Sequence, residues 1–328
     1  MTPIRLGIFG CGAVVEKSYL PTLAAMTDIF SVCALVDRDL DQAQRLAQLY
    51  DVPAVSDTYD QVAESVDAVL VALPNYLHFG AGVSVLESGK SVLIEKPMTI
   101  NFAEANELSN LARKSPGSLT VAQLRRYFDS DISIRSIVQS GILGDISEVD
   151  YREGGVYAWP IRSESAYDPK CSGGGVFMDL GSHVLDTLRW VFGELSITSY
   201  EDDAKGGVES DCFAVFTNKE STIINLHLSR IRQTGNRIRI AGSKGLFEQA
   251  LFSKQFEIKL NDGTTIQGQH HFEKEGIDMQ NVVMRQLMDW ARRLQSIENS
   301  AVDGEFAQMT IQLIEQGYSI RKSLNSLW

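Results

Sequence analysis

Lys96, Asp179 and His183 lie far apart in the chain, and their side chains suit the handling of protons and charge at one carbon. Lys96 belongs to Glu95-Lys96-Pro97, directly after the apolar run Ser91-Val92-Leu93-Ile94. A residue at the carboxyl end of a parallel strand faces the crevice where such sheets hold their ligands. There an ammonium group would stabilise negative charge developing on an oxygen. Histidine is the side chain best matched to proton transfer near neutral pH. If Val176 to Asp186 is helical, Asp179, His183 and Asp186 fall within about 60° of one another, because a helix advances about 100° per residue. Asp179, one turn before His183, would orient the imidazole and stabilise its charged form. Two other readings stay open: a satisfied polar network, or a metal site, since Asp and His both ligate. A lysine ammonium can already serve the charge-stabilising role of a Lewis acid, so no metal is expected.

The amino-terminal segment offers a place for a bound nucleotide. Ile4–Phe9 reads as a strand running into Gly10-Cys11-Gly12-Ala13-Val14, with a helix after it. Glycine lets the backbone turn tightly and approach a pyrophosphate, whose charge then meets the amides of the helix start. The third glycine of the dinucleotide fingerprint is missing. Val15 stands there and should push helix and strand slightly apart. A glycine turn in an unrelated α/β protein is the alternative. Asp37 ends the second strand, where a carboxylate can accept from ribose hydroxyls and repel a 2′-phosphate. Arg38 beside it could attract that phosphate, so NAD is favoured and NADP stays open. Cys11 reads as a small filler.

The elements that must position these groups follow from hydrophobic pattern. Apolar runs at Ile4–Phe9, Ser31–Val36, Ala68–Ala72, Ser91–Ile94 and Leu119–Ala122 alternate with helical segments at Lys17–Met26, Leu40–Tyr50, Phe79–Ser88 and Phe102–Arg113. Strands buried on both faces with helical crossovers predict a doubly wound parallel sheet. After a helix at Asp131–Ser140, a β-rich stretch from Ile146 to about Leu260 holds one helix, near Val176–Phe192. Alternation in Thr222–Leu228 and Arg237–Ile240 predicts antiparallel strands with one wet face. Two helices close the chain, about Ile277–Gln295 and Gly304–Leu324. The expected fold class is α/β, with a dinucleotide-binding domain over 1–123 and a substrate domain over 124–328.

The composition excludes other classes. With 328 residues, 44% hydrophobic and 22% charged, the chain can bury sizeable cores. A net charge of −12 argues against nucleic acid and against an anionic membrane surface. No apolar run approaches the ~18 residues of a spanning helix. The scattered Cys11, Cys33, Cys171 and Cys212 have no zinc spacing. Met1-Thr2-Pro3 leads straight into a strand, so no signal peptide and a cytoplasmic location are expected.

The glycine turn, the stretch Val71-Ala72-Leu73-Pro74-Asn75-Tyr76-Leu77-His78 leading to Glu95-Lys96-Pro97, and Asp179-Leu180-Gly181-Ser182-His183 coincide in one chain. Together with Val302-Asp303-Gly304-Glu305, they resemble the glucose–fructose oxidoreductase/inositol dehydrogenase/MocA family over nearly the whole length. The resemblance implies a Rossmann domain followed by an α+β domain with an open, mostly antiparallel sheet. It implies oxidation or reduction of a carbinol carbon in a sugar, polyol or nucleotide-linked sugar, using NAD or NADP. It puts Lys96 near the reacting oxygen and the nicotinamide, His183 as acid/base and Asp179 as its neighbour. Gly10, Gly12, Ala13, Val14, Asp37, Arg38, Leu73, Pro74, Asn75, His78, Glu95 and Lys96 would lie along the cofactor. His78 alone, at a helix start, is as often a surface residue.

For the substrate, Arg126 follows the last strand of the first domain, and Tyr157, Trp159 and Arg162 lie in a loop before Gly173-Gly174-Gly175. Aromatic faces pack on sugar C–H groups and Arg donates to hydroxyl or phosphate oxygens; ordinary interface or surface residues are the alternative. His270-His271 is expected to be solvent-exposed. Two further readings of the whole keep their place: a non-catalytic cofactor-binding sensor, and redox-assisted elimination or glycoside cleavage. The family's dimers and tetramers imply a homo-oligomer acting on a sugar-like small molecule.

Overall fold

The computed structural model describes residues 2–156, 164–270, 278–297 and 301–324. The first sheet is built from β1 (Ile4–Phe9), β2 (Phe30–Val36), β3 (Ala54–Ser56), β4 (Ala68–Val71), β5 (Ser91–Glu95) and β6 (Leu119–Ala122), all parallel. Its crossovers are α1 (Leu20–Ala24, continuing a π-helical turn at Val15–Tyr19), α2 (Leu40–Tyr50), α3 (His78–Glu87) and α4 (Phe102–Lys114). The strand order 3-2-1-4-5-6 is the doubly wound order, with a switch point between β1 and β4. Every residue of β4 and β6 is buried, as strands covered on both faces require. Local caps set the helix starts: Asp39 accepts from Gln42 N, and Asn101 from Glu104 N.

The second unit opens with α5 (Asp129–Gln139), β7 (Ile146–Gly154), α6 (Pro169–Ser172) and α7 (Val176–Phe192). It continues through β8 (Leu195–Asp202), β9 (Asp211–Asn218), β10 (Ile223–Ser229), β11 (Arg237–Gly242), β12 (Gly245–Ala250), β13 (Gln255–Leu260) and β14 (Thr265–Gln269). Then come α8 (Met279–Leu294), β15 (Val302–Asp303), α9 (Gly304–Ser319) and β16 (Lys322–Ser323). The second sheet runs 14-13-12-11-7-10-9-8-16 and is antiparallel except at β7–β10 and β8–β16. The fold is thus the α/β arrangement expected, a parallel dinucleotide-type sheet plus a mostly antiparallel one.

The chain does not stay with the second sheet after β14. β15 adds an antiparallel strand beside β6, and α8 packs on α1, with Trp290 fully buried and stacked on Phe30 at 5.8 Å. α9 packs against both α4 and α7, so one apolar core runs from Val71 and Ile94 to Leu185 and Leu226. A second core holds the other face of the first sheet, where Leu6, Ile8 and Leu35 meet α1, α2 and α8. The short β3 escapes the hydrophobic pattern, the β-rich stretch reaches Gln269, and α9 ends at Ser319. Among the described residues no helix is long and apolar enough to cross a membrane.

Candidate active site

The glycine turn has the shape its sequence demands. Gly10 takes φ +92°, and a Cβ there would lie 2.3 Å from Ala72 O, so only glycine lets β1 pass the end of β4. A Cβ on Gly12 would meet nothing within 4 Å, so backbone faces open space at the point where a pyrophosphate would approach. Val15 is fully buried and opens the π-helical turn, a wider coil than an α-helix. Ala13 and Val14 form the helix start before it.

Gly10, Gly12, Asp37, Arg38, Leu73 and Pro74 line one cleft of about 430 Å³, together with Asp39 and Asp57. The Asp37 carboxylate accepts from Cys11 N at 2.6 Å and from Asp39 N at 2.9 Å, which fixes it against the turn. Arg38 is exposed. Cys11 is buried, and burial beside Asp37 and Asp39 pushes its thiol up to about 12, so it is the inert filler expected. The open backbone at Gly12, the cleft and the fixed acceptor fit a dinucleotide.

Three residues expected along the cofactor also brace the walls around it. His78 is buried at the start of α3, with Nε2 2.8 Å from Leu73 O and Nδ1 2.8 Å from Pro97 O. Burial lowers its proton affinity against the pull of those two carbonyls, and the ring ties the β4 turn to the β5 turn. It is neither a surface residue nor free to meet a ligand through its nitrogens. Glu95 accepts from Tyr19 O–H at 2.6 Å and from Lys96 N at 3.1 Å, and burial raises its pKa. Asn75 donates from Nδ2 to Ser172 O at 2.9 Å, joining the first sheet to α6.

The chemical groups converge at the junction of the two sheets. Lys96 Nζ lies 2.5 Å from Asp179 Oδ1 and 3.1 Å from Asp179 O. Arg230, just past β10, reaches Asp179 Oδ2 at 2.5 Å. Burial pushes the Asp179 carboxyl up, but Lys96 and Arg230 outweigh it and hold the group well below the usual carboxylate range. His183 lies one turn along the same helix. Burial, then the charges of Lys96 and Arg125, drive its pKa well below 6.5, against the pull of Asp179. Its Nδ1 is buried and has no hydrogen-bond partner among the described residues. The site therefore holds a neutral imidazole, an ammonium and a carboxylate that stays ionised.

The start of α7 sets these positions. Glu209 Oε1 accepts from Gly175 N and Phe177 N, both at 2.9 Å, and from Tyr318 O–H at 2.8 Å. The glycine triplet serves packing: a Cβ on Gly175 would sit 1.9 Å from Glu209 O.

Other polar residues that the sequence singled out are engaged away from Lys96. Asp186 is fully buried and bound by Arg126 through Nε at 2.7 Å and Nη2 at 3.1 Å. Arg126, expected at the substrate, is further held over Phe306 and Trp190. His270 is buried against Phe256, contrary to the exposed loop expected. Tyr157, Trp159 and Arg162, and likewise His271, lie outside the described residues. Sequence reasoning missed Arg230; Arg125 stands beside Arg126 after the last strand of the first domain, where the sequence already pointed to the domain junction. The only signal for Arg230 is a cation directly after an alternating strand, which describes many surface residues too.

Residues 4–123 match the model of an oxidoreductase family with an NAD-binding Rossmann fold, and residues 132–248 match the GFO/IDH/MocA C-terminal domain. Among curated relatives, the D-glucoside 3-dehydrogenase of Escherichia coli is 26% identical over 343 aligned positions, covering 100% of this chain and 95% of the relative. The dTDP-3,4-didehydro-2,6-dideoxy-alpha-D-glucose 3-reductase of Saccharopolyspora spinosa is 26% identical over 249 positions, covering 74% and 73%. Among solved structures, a 3-ketoreductase of Actinomadura kijaniata in complex with NADP and TDP-benzene has a TM-score of 0.83 at 21% identity, covering 98% and 99%.

Proposed function

Because this chain belongs to the Gfo/Idh/MocA family of NAD(P)-binding oxidoreductases, we propose that it transfers hydride at a secondary carbinol of a glucose-type sugar, with C3 as the reacting carbon. The observation that carries the reading is the Lys96–Asp179 pair acting electrostatically on His183, in a chain that also has a cleft fitted to a dinucleotide. The position is suggested by three relatives, whose names each specify carbon 3 of a sugar or a 3-keto group.

When bound, the nicotinamide supplies the hydride acceptor or donor. In the oxidation direction, the uncharged His183 takes the proton of the sugar hydroxyl. The Lys96 ammonium faces the same oxygen and stabilises its developing negative charge. Asp179 remains ionised, offsetting the imidazolium that forms. In reduction, the same groups act in reverse, and His183 returns the proton.

NAD is the preferred cofactor in this reading. Asp37, Asp39 and Asp57 line the cleft together with Arg38, and three carboxylates against one guanidinium in that lining would disfavour a 2′-phosphate. Each Asp37 oxygen that accepts a backbone N–H keeps a lone pair for a ribose hydroxyl. Four unpaired cysteines accord with a cytoplasmic setting. The open face of the second sheet exposes Phe213 and Ile223 beside charged Asp150, Arg152 and Arg237, a surface suited to a second copy.

The test is cofactor reduction by D-glucosides, free hexoses and nucleotide sugars with NAD and NADP. The reading expects turnover with a hexoside or nucleotide hexose and NAD. Saturable cofactor binding with no turnover on any of them would remove it.

A further inference from the structure

Asp179 is gripped from two directions. Lys96 arrives from the end of β5 in the first sheet and takes Oδ1 at 2.5 Å and the main-chain oxygen at 3.1 Å. Arg230 arrives from the end of β10 in the second sheet and takes Oδ2 at 2.5 Å. The Asp179 side chain is 34% exposed, so it is not closed off by its two cations. A group so placed could do two unhelpful things to a sugar hydroxyl. It could accept that proton itself, or it could draw the whole ammonium away from the reacting oxygen.

We propose that Arg230 is a positioning residue of the reaction, holding the Asp179 carboxylate so that Lys96 keeps one N–H for the substrate and His183 alone moves the proton. The inference rests on the hydride-transfer reading above and deepens it. An ammonium has three N–H bonds, and two are spent on Asp179. With Oδ2 bound to a guanidinium, Oδ1 is the carboxylate oxygen left to Lys96, and the third N–H keeps its direction. Guanidinium suits this task because it stays charged at any working pH and its planar fork fixes direction. A carboxylate shared by two cations is also too weak a base to compete for a hydroxyl proton near neutrality.

The charges facing His183 come from three places. Lys96 at the end of β5 and Arg125 in the turn after β6 disfavour its protonation, and Asp179 on its own helix favours it. Arg230 is linked to the imidazole through Asp179. Loss of Arg230 leaves Asp179 with more of its negative charge uncompensated, so His183 should gain proton affinity.

The experiment uses the full chain with saturating NAD and compares wild type, Arg230→Met and Arg230→Lys. For Arg230→Met we expect kcat to fall about 10- to 100-fold, with NAD affinity retained. Added guanidinium chloride should restore part of kcat in Arg230→Met and none in Lys96→Met, and Arg230→Lys should fall between. Imidazole ¹⁵N NMR on substrate-free protein, which has five histidines, should place the His183 titration higher in Arg230→Met than in wild type. Wild-type kcat and an unmoved His183 titration in a folded Arg230→Met would overturn the proposal. If Arg230→Met fails to fold, Arg230→Lys with wild-type kcat and pH profile overturns it, and a lowered kcat with a shifted profile supports it. Should wild type turn over no sugar, the hydride-transfer reading falls, and the His183 titration still judges the clamp.

Discussion

An ammonium group held twice by one aspartate approaches its third partner along a fixed direction, and Lys96 is held in that way by Asp179. Lys96→Met keeps most of the stem and removes the charge. It should cut kcat by about 10²–10³-fold, the usual cost of removing a preorganised charge stabiliser. Cofactor affinity should stay near wild type, as measured by fluorescence titration. Since oxidation needs the neutral imidazole, and His183 is held well below 6.5, the acid limb of kcat/KM should lie below that value. Lys96 and Asp179 were readable in the sequence because each sits in a short motif beside a strand end or on a helix stripe. Asp186 shared the stripe but is bound by Arg126, sixty positions earlier, and no local pattern announces such a pair. Arg230 was unreadable for the same reason, since its role exists only once β10 ends against α7.

The elements that carry these groups depend on where a Cβ fits. Gly10→Ala must clear Ala72 O from a left-handed conformation, so it should lower Tm and solubility as well as cofactor binding. Gly12→Ala meets no protein atom within 4 Å. It should melt like wild type yet bind NAD about tenfold or more weakly, because the methyl group enters space that the pyrophosphate requires. Equal loss of stability in both variants would contradict this division. The parallel strands were legible as continuous apolar runs bounded by turns, since both faces are covered. β3 was not, because three residues give no period. The π-helical turn at Val15–Tyr19 was not legible either, because its periodicity differs from that of an α-helix over only five residues.

At the scale of the whole molecule, the two sheets are joined by polar groups as well as by apolar core. Arg125, just after β6, donates to Tyr151 O–H at 2.6 Å and to Glu153 at 2.7 Å, both on β7. Asp131 is buried beside them, and burial, reinforced by Glu153 against the pull of Arg125, raises it from 3.8 to about 7. Between those values the folded protein keeps Asp131 neutral while the unfolded chain ionises it. Its burial therefore opposes folding increasingly as pH rises through that window, with the full cost present above it. Asp131→Asn should raise Tm by roughly 2–4 °C at pH 8 and progressively less toward pH 5, measured by thermal denaturation. A gain that is larger at pH 5 would contradict the assignment. The return of α8 and β15 to the first sheet was invisible in the sequence, because amphipathic helices do not name the surface they cover. The central claim, that this joined structure moves hydride between sugar carbon and nicotinamide, is tested most directly with isotopes. Hexosides and nucleotide hexoses deuterated at every ring carbon would be incubated with NAD, and the recovered cofactor analysed by mass spectrometry. The account predicts deuterium in the reduced nicotinamide, formed far more slowly by Lys96→Met and His183→Ala. Cofactor that binds saturably but gains no deuterium from any of these sugars would contradict it.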